Sequence, residues 1–215
     1  MCEINIINSD SLFEMKKFKD NEFDYGFTSP PYNRKRNDKY TLYEDKIDDY
    51  YQFLIDATEE LLRICKNGVF INIQANYYNR VDVYKFIGYF SEKIQENFIH
   101  VKTNPMPANG KNITNAVEYY LYLSDERPKS LSTYTKNVIE SSTTKMPKEH
   151  KAVMNTDICK WFISHFIKEG SKVIDPFAGY GTTLLVCNKL NINCTGIEII
   201  PEYCEMIKER LTNAQ

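Results

Sequence analysis

Short apolar runs alternate with longer amphipathic stretches along this chain, and that alternation constrains the fold more than any other feature. Seven runs have strand-like composition: Ile4–Ile7, Phe23–Thr28, Val69–Ile73, Phe98–Lys102, Val117–Leu123, Lys172–Asp175 and Asn193–Ile197. Five stretches have a helical pattern: Ile47–Cys65, Val81–Asn97, Asp157–Lys168, Thr182–Leu190 and Glu202–Leu211. Strands separated by helices of this length favour a mostly parallel α/β sheet with helices on both faces.

Two parts of the chain depart from this alternation. The runs Phe98–Lys102 and Val117–Leu123 leave no room for a full helix between them, which predicts an antiparallel pair near one edge of the sheet. The stretch 124–155 is rich in Ser, Thr and Lys without clear periodicity, and we expect an inserted surface region or long loop there. The 215 residues therefore predict a single domain, 1–215, with a short insert at 124–155.

The charge balance limits how the chain can contact nucleic acid. Its net charge is −2, so any such contact must come from local patches rather than from an overall basic surface. Basic residues concentrate between Arg34 and Lys39 and between Arg127 and Lys151. On charge alone, a solvated loop explains these two segments equally well.

The six cysteines and three histidines show neither zinc-site spacing nor a disulfide framework. Reduced thiols fit a cytoplasmic protein best. The first residues lack a signal-peptide pattern, and no apolar run is long enough to span a membrane. We expect no metal, no membrane partner and a cytoplasmic location.

The segment Thr28-Ser29-Pro30-Pro31-Tyr32 directly follows a predicted strand. Two consecutive prolines remove two backbone donors and fix two φ angles, and the residue before a proline is held extended. We expect a rigid loop in which the Ser29 hydroxyl and the Pro30 carbonyl point outward as acceptors beside the ring of Tyr32. Such a loop suits a flat ring that carries an amino group, as a nucleobase does.

A second segment, 173–183, has the pattern of a strand, a glycine-containing turn and the start of a helix. Open α/β sheets bind ligands at such strand ends, and Gly179 and Gly181 allow the backbone to approach a ligand closely. The turn is neither a P-loop nor a G-x-G-x-x-G dinucleotide motif. Glu198 follows about 20 residues after Gly179 at the end of the next predicted strand, a position suited to binding ribose hydroxyls.

Together these segments resemble amino-methylating DNA methyltransferases that use S-adenosylmethionine. Thr28–Tyr32 resembles the catalytic motif of that family and 175–183 its cofactor loop. Three further segments carry the resemblance: Asn8–Asp10 near the adenosine, Asn104–Pro107 with Thr114–Tyr119 near the target base, and His150–Phe166 beside the methionine portion. The order of the motifs, with the catalytic motif first and the cofactor loop last, resembles the beta group of the family.

The resemblance implies a Rossmann-like methyltransferase fold and methyl transfer to an exocyclic amine of a base turned out of double-stranded DNA. It implies catalytic roles for Ser29, Pro30, Pro31 and Tyr32. It implies cofactor contacts for Asp10, Thr28, Asp175, Pro176, Phe177, Ala178, Gly179, Gly181, Thr182, Thr183 and Glu198. It implies DNA contacts for Asn33, Arg34, Lys35, Arg36, Asn104, Lys129, Lys136 and Lys145.

The target base and the partners stay open at this point. In the family, Ser before Pro-Pro-Tyr favours cytosine N4 and Asp there is typical of adenine N6, whereas Asn33 after Tyr32 is a feature of adenine enzymes. We favour cytosine N4, with adenine N6 as the alternative. The stretch 124–155 would read the target sequence, with help from a homodimer partner or another subunit, and a cognate restriction endonuclease is consistent with this class.

Two other classes compete with this interpretation. A methyltransferase that acts on RNA or on a small molecule is compatible with the short insert. A catalytically inactive subunit of a DNA-binding complex is disfavoured because Ser29–Tyr32 and Gly179–Gly181 are both intact.

Overall fold

The computed structural model describes residues 2–34, 46–105, 107–108, 110, 112–142 and 154–213. The strands in this part are β1 (Ile4–Asn8), β2 (Phe23–Thr28), β3 (Cys65–Ile73), β4 (Ile94–Lys102), β5 (Val117–Leu123), β6 (Val138–Ser141), β7 (Lys172–Asp175) and β8 (Asn193–Glu198). The helices are α1 (Ser11–Met15), α2 (Tyr50–Ile64), α3 (Arg80–Tyr89), α4 (Thr156–Phe166), α5 (Thr182–Lys189) and α6 (Pro201–Thr212). In the described ranges, no helix has both the length and the apolar character needed to cross a membrane.

All these strands join one sheet in the order β1-β8-β7-β2-β3-β5-β4-β6. Only the two pairings of β5, with β3 and with β4, are antiparallel among the described strands. The predicted antiparallel pair near one edge is therefore confirmed, with Phe98 opposite Tyr120. The sheet is mostly parallel, as the alternation of strands and helices predicts.

Helices cover both faces of the sheet. On one face, α2 and α3 bury Leu54, Leu61 and Phe86 with the strand residue Val69. On the other face, Phe162 of α4 lies at the centre of an aromatic cluster whose ring centroids are 4.5 to 5.7 Å from its own. Two separate apolar layers therefore hold the sheet in place, as expected when helices lie on both sides of parallel strands.

The order in which the chain adds strands to the sheet reverses at the boundary between the parallel strands β2 and β7. From β2 the chain continues through α2 to β3 on one side, and from β7 it continues through α5 to β8 on the other side. The helices α2 and α5 lie on opposite faces, so the loops after β2 and β7 diverge and leave a crevice at the carboxyl ends of the two strands. Open α/β sheets bind their ligands at such a switch point.

Two secondary-structure predictions are wrong. The predicted helix Val81–Asn97 ends at Tyr89, and Ile94 already pairs with Leu123 in β4, so pairing with β5 overrides the helix propensity of the polar residues between them. The stretch 124–155, expected to lack regular structure, contains the edge strand β6, which pairs with β4 in parallel. Four residues are too few to show a recognisable alternation in the sequence.

Candidate active site

Three side chains from two neighbouring strands meet beyond the carboxyl end of β2. The Ser29 Oγ lies 3.1 Å from Oδ1 of Asn72 and 3.2 Å from the Tyr32 hydroxyl, which itself donates to the same Oδ1. The Asn72 Nδ2 donates to the Tyr119 carbonyl at 3.2 Å, which turns the amide oxygen toward the two hydroxyls. Burial raises the pKa of Tyr32 well above its ordinary value, so its hydroxyl keeps its proton and acts as a donor.

The two prolines hold this loop rigidly against α2. Pro30 is buried, and the Pro31 carbonyl accepts a hydrogen bond of 2.7 Å from the Tyr50 hydroxyl on the first turn of α2. The Pro31 oxygen is therefore already used inside the protein. The Pro30 carbonyl, which the sequence predicts as an acceptor, stays the backbone candidate to face a ligand.

The two residues after Tyr32 differ from each other in their contacts. The amide of Asn33 is buried and bonds the backbone N–H and C=O of Ile47, both at 3.0 Å, so these hydrogen bonds of its side chain lie inside the protein. The Arg34 guanidinium lies 5.2 Å from the centroid of the Tyr32 ring and donates to Gln74 Oε1 at 3.3 Å. Lys35 and Arg36, also predicted to contact DNA, lie outside the described residues.

A buried carboxylate joins the loop after β2 to the loop after β7. Oδ1 of Asp175 accepts hydrogen bonds from the Thr28 hydroxyl at 2.7 Å and from the Phe177 backbone N–H at 3.1 Å. Asp175 is only 3% exposed, and this burial raises its pKa above the ordinary value. Thr28 and Asp175, both predicted to contact the cofactor, therefore hold the two sides of the crevice in register.

The glycine loop after β7 is closed by a second carboxylate. Glu198 at the end of β8 accepts from the Gly179 N–H at 2.8 Å and from the Ile200 N–H at 2.9 Å, one bond to each oxygen. Burial raises the pKa of Glu198, although these two bonds partly oppose the rise. Each carboxylate oxygen retains a lone pair that can accept a hydrogen bond from a ligand hydroxyl.

Gly181 is required by the backbone and by packing. Its φ is +79°, and a Cβ there would lie 2.7 Å from Cγ1 of Ile207 on α6. The positive φ and the contact with Ile207 therefore already exclude a side chain at this position, whether or not a ligand approaches it. Gly179, with φ +51°, lies beside Glu198 at the crevice.

The other predicted cofactor residues surround the same loop. Asp10 caps α1 by accepting from the Phe13 N–H at 2.8 Å, and the Pro176 carbonyl accepts from the Ser11 hydroxyl. The remaining four differ in burial: Phe177 is partly exposed, whereas Ala178, Thr182 and Thr183 are buried. The structure thus brings the predicted cofactor residues together at the carboxyl ends of four neighbouring strands, β1, β8, β7 and β2.

Two of the predicted DNA-binding residues of the insert, Lys129 and Lys136, lie away from the crevice. Lys129 and Lys136 lie between the carboxyl end of β5 and the start of β6, and because β5 runs opposite to its neighbours, that is the amino edge of the sheet. Lys129 pairs with Glu126 at 3.2 Å. Asn104, exposed just beyond the carboxyl end of β4, does lie on the crevice side. Lys145 falls outside the described residues.

A third carboxylate, Glu118 on β5, lies one strand beyond Asn72. Burial alone would raise its pKa, but His100 and Lys102 lower that pKa to about 2. Nζ of Lys102 is 2.5 Å from its Oε1, and His100 Nδ1 is 3.5 Å from its Oε2. This carboxylate is therefore ionised and neutralised by a cation at physiological pH.

The sequence reasoning missed two residues of this site, Asn72 and Gln74. Both are buried, and Gln74 also donates to the Val117 carbonyl at 3.2 Å. The sequence did contain a signal, because amides within and directly after the apolar run Val69–Ile73 are buried only when they have hydrogen-bond partners.

Comparisons with known proteins point to one family. A family model described as DNA methylase, covering N6 and N4 methyltransferases, matches residues 23–209. The type II methyltransferase M.HpaI of Haemophilus parainfluenzae is 27% identical over 237 residues, which cover 96% of this chain and 73% of the relative. M.SmaI of Serratia marcescens is 36% identical over 84 residues, so the match spans only 29% of that relative.

Solved structures show the same fold at low sequence identity. The cytosine-N4-specific PvuII DNA methyltransferase aligns over all of this chain and 92% of its own, with a TM-score of 0.78 and 18% identity. The M1.HpyAVI–SAM complex aligns over 97% of this chain and 99% of its own, with a TM-score of 0.69 and 20% identity. The predicted Rossmann-like methyltransferase fold is thus confirmed, and because the family model covers most of its length, this chain belongs to the N6/N4 DNA methylase family.

Proposed function

We propose that this protein transfers a methyl group from S-adenosylmethionine to the exocyclic amine of a base that has left the DNA duplex, with cytosine N4 favoured over adenine N6. The observation that carries the proposal is the shared acceptor Oδ1 of Asn72, which accepts hydrogen bonds from the hydroxyls of Ser29 and Tyr32 at the switch point of the sheet. That arrangement leaves the lone pairs of the Ser29 oxygen free to accept hydrogen bonds from the N–H groups of an amine.

The cofactor would bind on the β7 and β8 side of the crevice. Glu198 would accept the ribose hydroxyls, and the loop 176–181 would lie against the remainder of the molecule. When bound, S-adenosylmethionine supplies an electrophilic methyl group on a sulfonium. Within the described residues, neither Asp175 nor Glu198 has a cationic partner within 4 Å, so their negative charge favours a cationic ligand.

The hydroxyl of Ser29 would act on the target amine as an acceptor. A hydroxyl both donates and accepts, and it accepts reliably only when its own proton is fixed elsewhere. Ser29 directs its proton toward Asn72 or Tyr32, and both of these lie inside the site. With the Pro30 carbonyl, it would accept hydrogen bonds from the amine and concentrate the nitrogen lone pair for in-line attack on the methyl carbon. The N–C bond would form as the C–S bond breaks to leave a neutral thioether, and the methylated nitrogen would then lose one proton to water. The protein would contribute mainly orientation and preorganised polar groups.

The ring of Tyr32 would stack on the extruded base. Base extrusion is required because an amine inside the duplex cannot reach the loop after β2. The Arg34 guanidinium lies over the Tyr32 ring and makes a cation–π contact with it. A nucleobase could stack on the same ring.

The choice of cytosine N4 rests on two supports. Ser29 is neutral, which in this family favours cytosine, and the PvuII enzyme with the same fold is described as cytosine-N4-specific. We further propose double-stranded DNA as the substrate. Because Lys129 and Lys136 lie at the amino edge of the sheet, away from the crevice, we also propose that a homodimer partner or another subunit completes sequence recognition. A cognate restriction endonuclease and a cytoplasmic location fit this role.

One experiment tests the substrate and the target base together. Purified protein is incubated with isotopically labelled S-adenosylmethionine and either in vitro amplified DNA or transcribed RNA, and the products are digested to nucleosides and identified by mass. We expect label in DNA as N4-methyldeoxycytidine. Label as N6-methyldeoxyadenosine would overturn the base assignment, and label in RNA alone would overturn the DNA assignment.

A further inference from the structure

The turn between β3 and α3 carries two tyrosines that packing does not explain. Tyr77 is 77% exposed and Tyr78 is 54% exposed. Their ring centroids are 5.4 Å apart with nearly perpendicular planes. Large aromatic surfaces held in water side by side are a common mark of a binding surface.

The backbone of this turn is fixed by asparagine side chains. Asn76 Oδ1 accepts from the Tyr78 N–H at 2.8 Å, and Asn79 Oδ1 accepts from the Asn76 N–H at 2.7 Å. Asn79 is fully buried and also donates to the Gln74 carbonyl at 3.0 Å. The two rings are thus presented from a rigid base, which lowers the entropy lost when they contact a partner.

The same asparagines tie the turn to the catalytic loop. Nδ2 of Asn79 donates to the Tyr32 carbonyl at 2.8 Å, and Nδ2 of Asn76 donates to the same oxygen at 3.3 Å. The exposed tyrosines therefore stand next to the residue proposed to stack on the target base. They lie on the crevice side of the sheet, since the turn follows the carboxyl end of β3.

The charge of the turn suits a polyanion. The Arg80 guanidinium lies 4.9 Å from the centroid of the Tyr77 ring and donates to the Tyr77 carbonyl. Arg80 and Lys85 both belong to α3, and Asp82 is the acidic residue in the first turn of that helix. In a chain with a net charge of −2, stacking and a local cation have to supply contacts that an overall basic surface would otherwise make.

We propose that Tyr77 and Tyr78 bind the DNA immediately beside the extruded nucleotide, stacking against bases that lose a neighbour when the target leaves the duplex, while Arg80 contacts the adjacent phosphate. This inference rests on the proposed function and adds a DNA-contacting surface outside the crevice itself. Aromatic side chains bind bases regardless of sequence, so this surface would strengthen binding without setting the recognition site.

The test compares the double variant Tyr77→Ala/Tyr78→Ala with wild type in methyl transfer to amplified duplex DNA. Loss of one base stack corresponds to about 5- to 150-fold in affinity, so we expect the KM for DNA to rise about tenfold or more. The dissociation constant for S-adenosylmethionine should stay at the wild-type value. The double variant Tyr77→Phe/Tyr78→Phe keeps both rings and should retain the wild-type KM.

A matched control separates a local effect from a general loss of surface tyrosines. Tyr89→Ala removes a 53% exposed tyrosine from the other end of α3 and should leave the KM for DNA unchanged. An unchanged KM in the alanine double variant would overturn the inference while the proposed function stands. A wild-type protein that methylates no DNA would overturn the proposed function, and with it the inference. A double variant whose mass by light scattering drops to that of a monomer would assign the surface to a second copy of the chain and overturn the inference.

Discussion

The two halves of the sheet handle buried charge in opposite ways. On the β7 and β8 side, Asp175 and Glu198 are buried with raised pKa values and with hydrogen bonds rather than cations as partners among the described residues. On the β3 and β5 side, Lys102 and His100 lower the pKa of Glu118 to about 2. The first half therefore keeps an uncompensated negative potential, and the second presents neutral amides and hydroxyls to the crevice.

This difference matches the two ligands proposed for the crevice. A sulfonium cofactor is cationic and gains from uncompensated carboxylates, whereas a nucleobase is neutral and gains from fixed donors and acceptors. The two halves can therefore be perturbed separately. Changes near Ser29 should affect the rate of transfer, and changes near Glu198 should affect cofactor binding.

The largest expected effect is that of Ser29→Ala. Loss of the acceptor hydroxyl should lower the rate of methyl transfer by about 100-fold or more, by analogy with the loss of one preorganised polar group from a catalytic site. Single-turnover transfer to DNA measures the rate, and calorimetry should give an unchanged dissociation constant for the cofactor. Ser164→Ala, at an exposed serine on α4, is the matched control. Wild-type transfer by Ser29→Ala would exclude Ser29 from the chemistry.

The next effect is that of Asn72→Leu, which keeps the size of the side chain but removes the shared acceptor. Ser29 and Tyr32 then lose the acceptor of their hydrogen bonds. We expect the rate of methyl transfer to fall about tenfold, which corresponds to the free energy of about one hydrogen bond. Asn72→Asp keeps an acceptor for both hydroxyls and should transfer faster than the leucine variant. Equal rates in the two variants would show that Asn72 does not orient Ser29.

Glu198 provides a test on the other half of the sheet. Its pKa is raised, so on acidification it is protonated at a higher pH than a free glutamate, and the protonated form accepts ribose hydroxyls less well. Cofactor affinity should hold above this raised pKa and fall as the pH drops through it. Glu198→Gln should bind the cofactor about tenfold more weakly, and its affinity should depend less on pH than that of the wild type, because of the two buried carboxylates on this side of the crevice only Asp175 still titrates. A wild-type affinity that depends on pH no more than that of Glu198→Gln would contradict the role of Glu198.

The smallest effect concerns two glycines, one from each half. Gly88 lies in α3 with open space around its Cα, so Gly88→Ala should raise the free energy of unfolding by about 0.5–1 kcal/mol. Gly181→Ala should lower the free energy of unfolding, because its φ is +79° and Ile207 occupies the space for a Cβ. Denaturant unfolding of the two variants measures both values. The same sign for both would refute the packing role of Gly181.

The sequence predicted the β7 side of the site better than the β3 side. The loop 175–183 is contiguous, so its strand, turn and helix can be recognised from neighbouring residues, and Glu198 follows at a characteristic distance. Asn72 and Gln74 belong to the site only because β3 pairs beside β2, and that register is not encoded near Ser29. The distant positions of Lys129 and Lys136 likewise depend on the reversed direction of β5, which charge patterning cannot show.

The hydrogen bond between Thr28 and Asp175 spans 147 positions of the chain. In the sheet β7 lies between β2 and β8, so this bond requires strands from both ends of the chain to be in place. Contacts of such long range slow folding, because much of the chain must be ordered before they are made. In denaturant we therefore expect the proposed methyl transfer and the native sheet to be lost together.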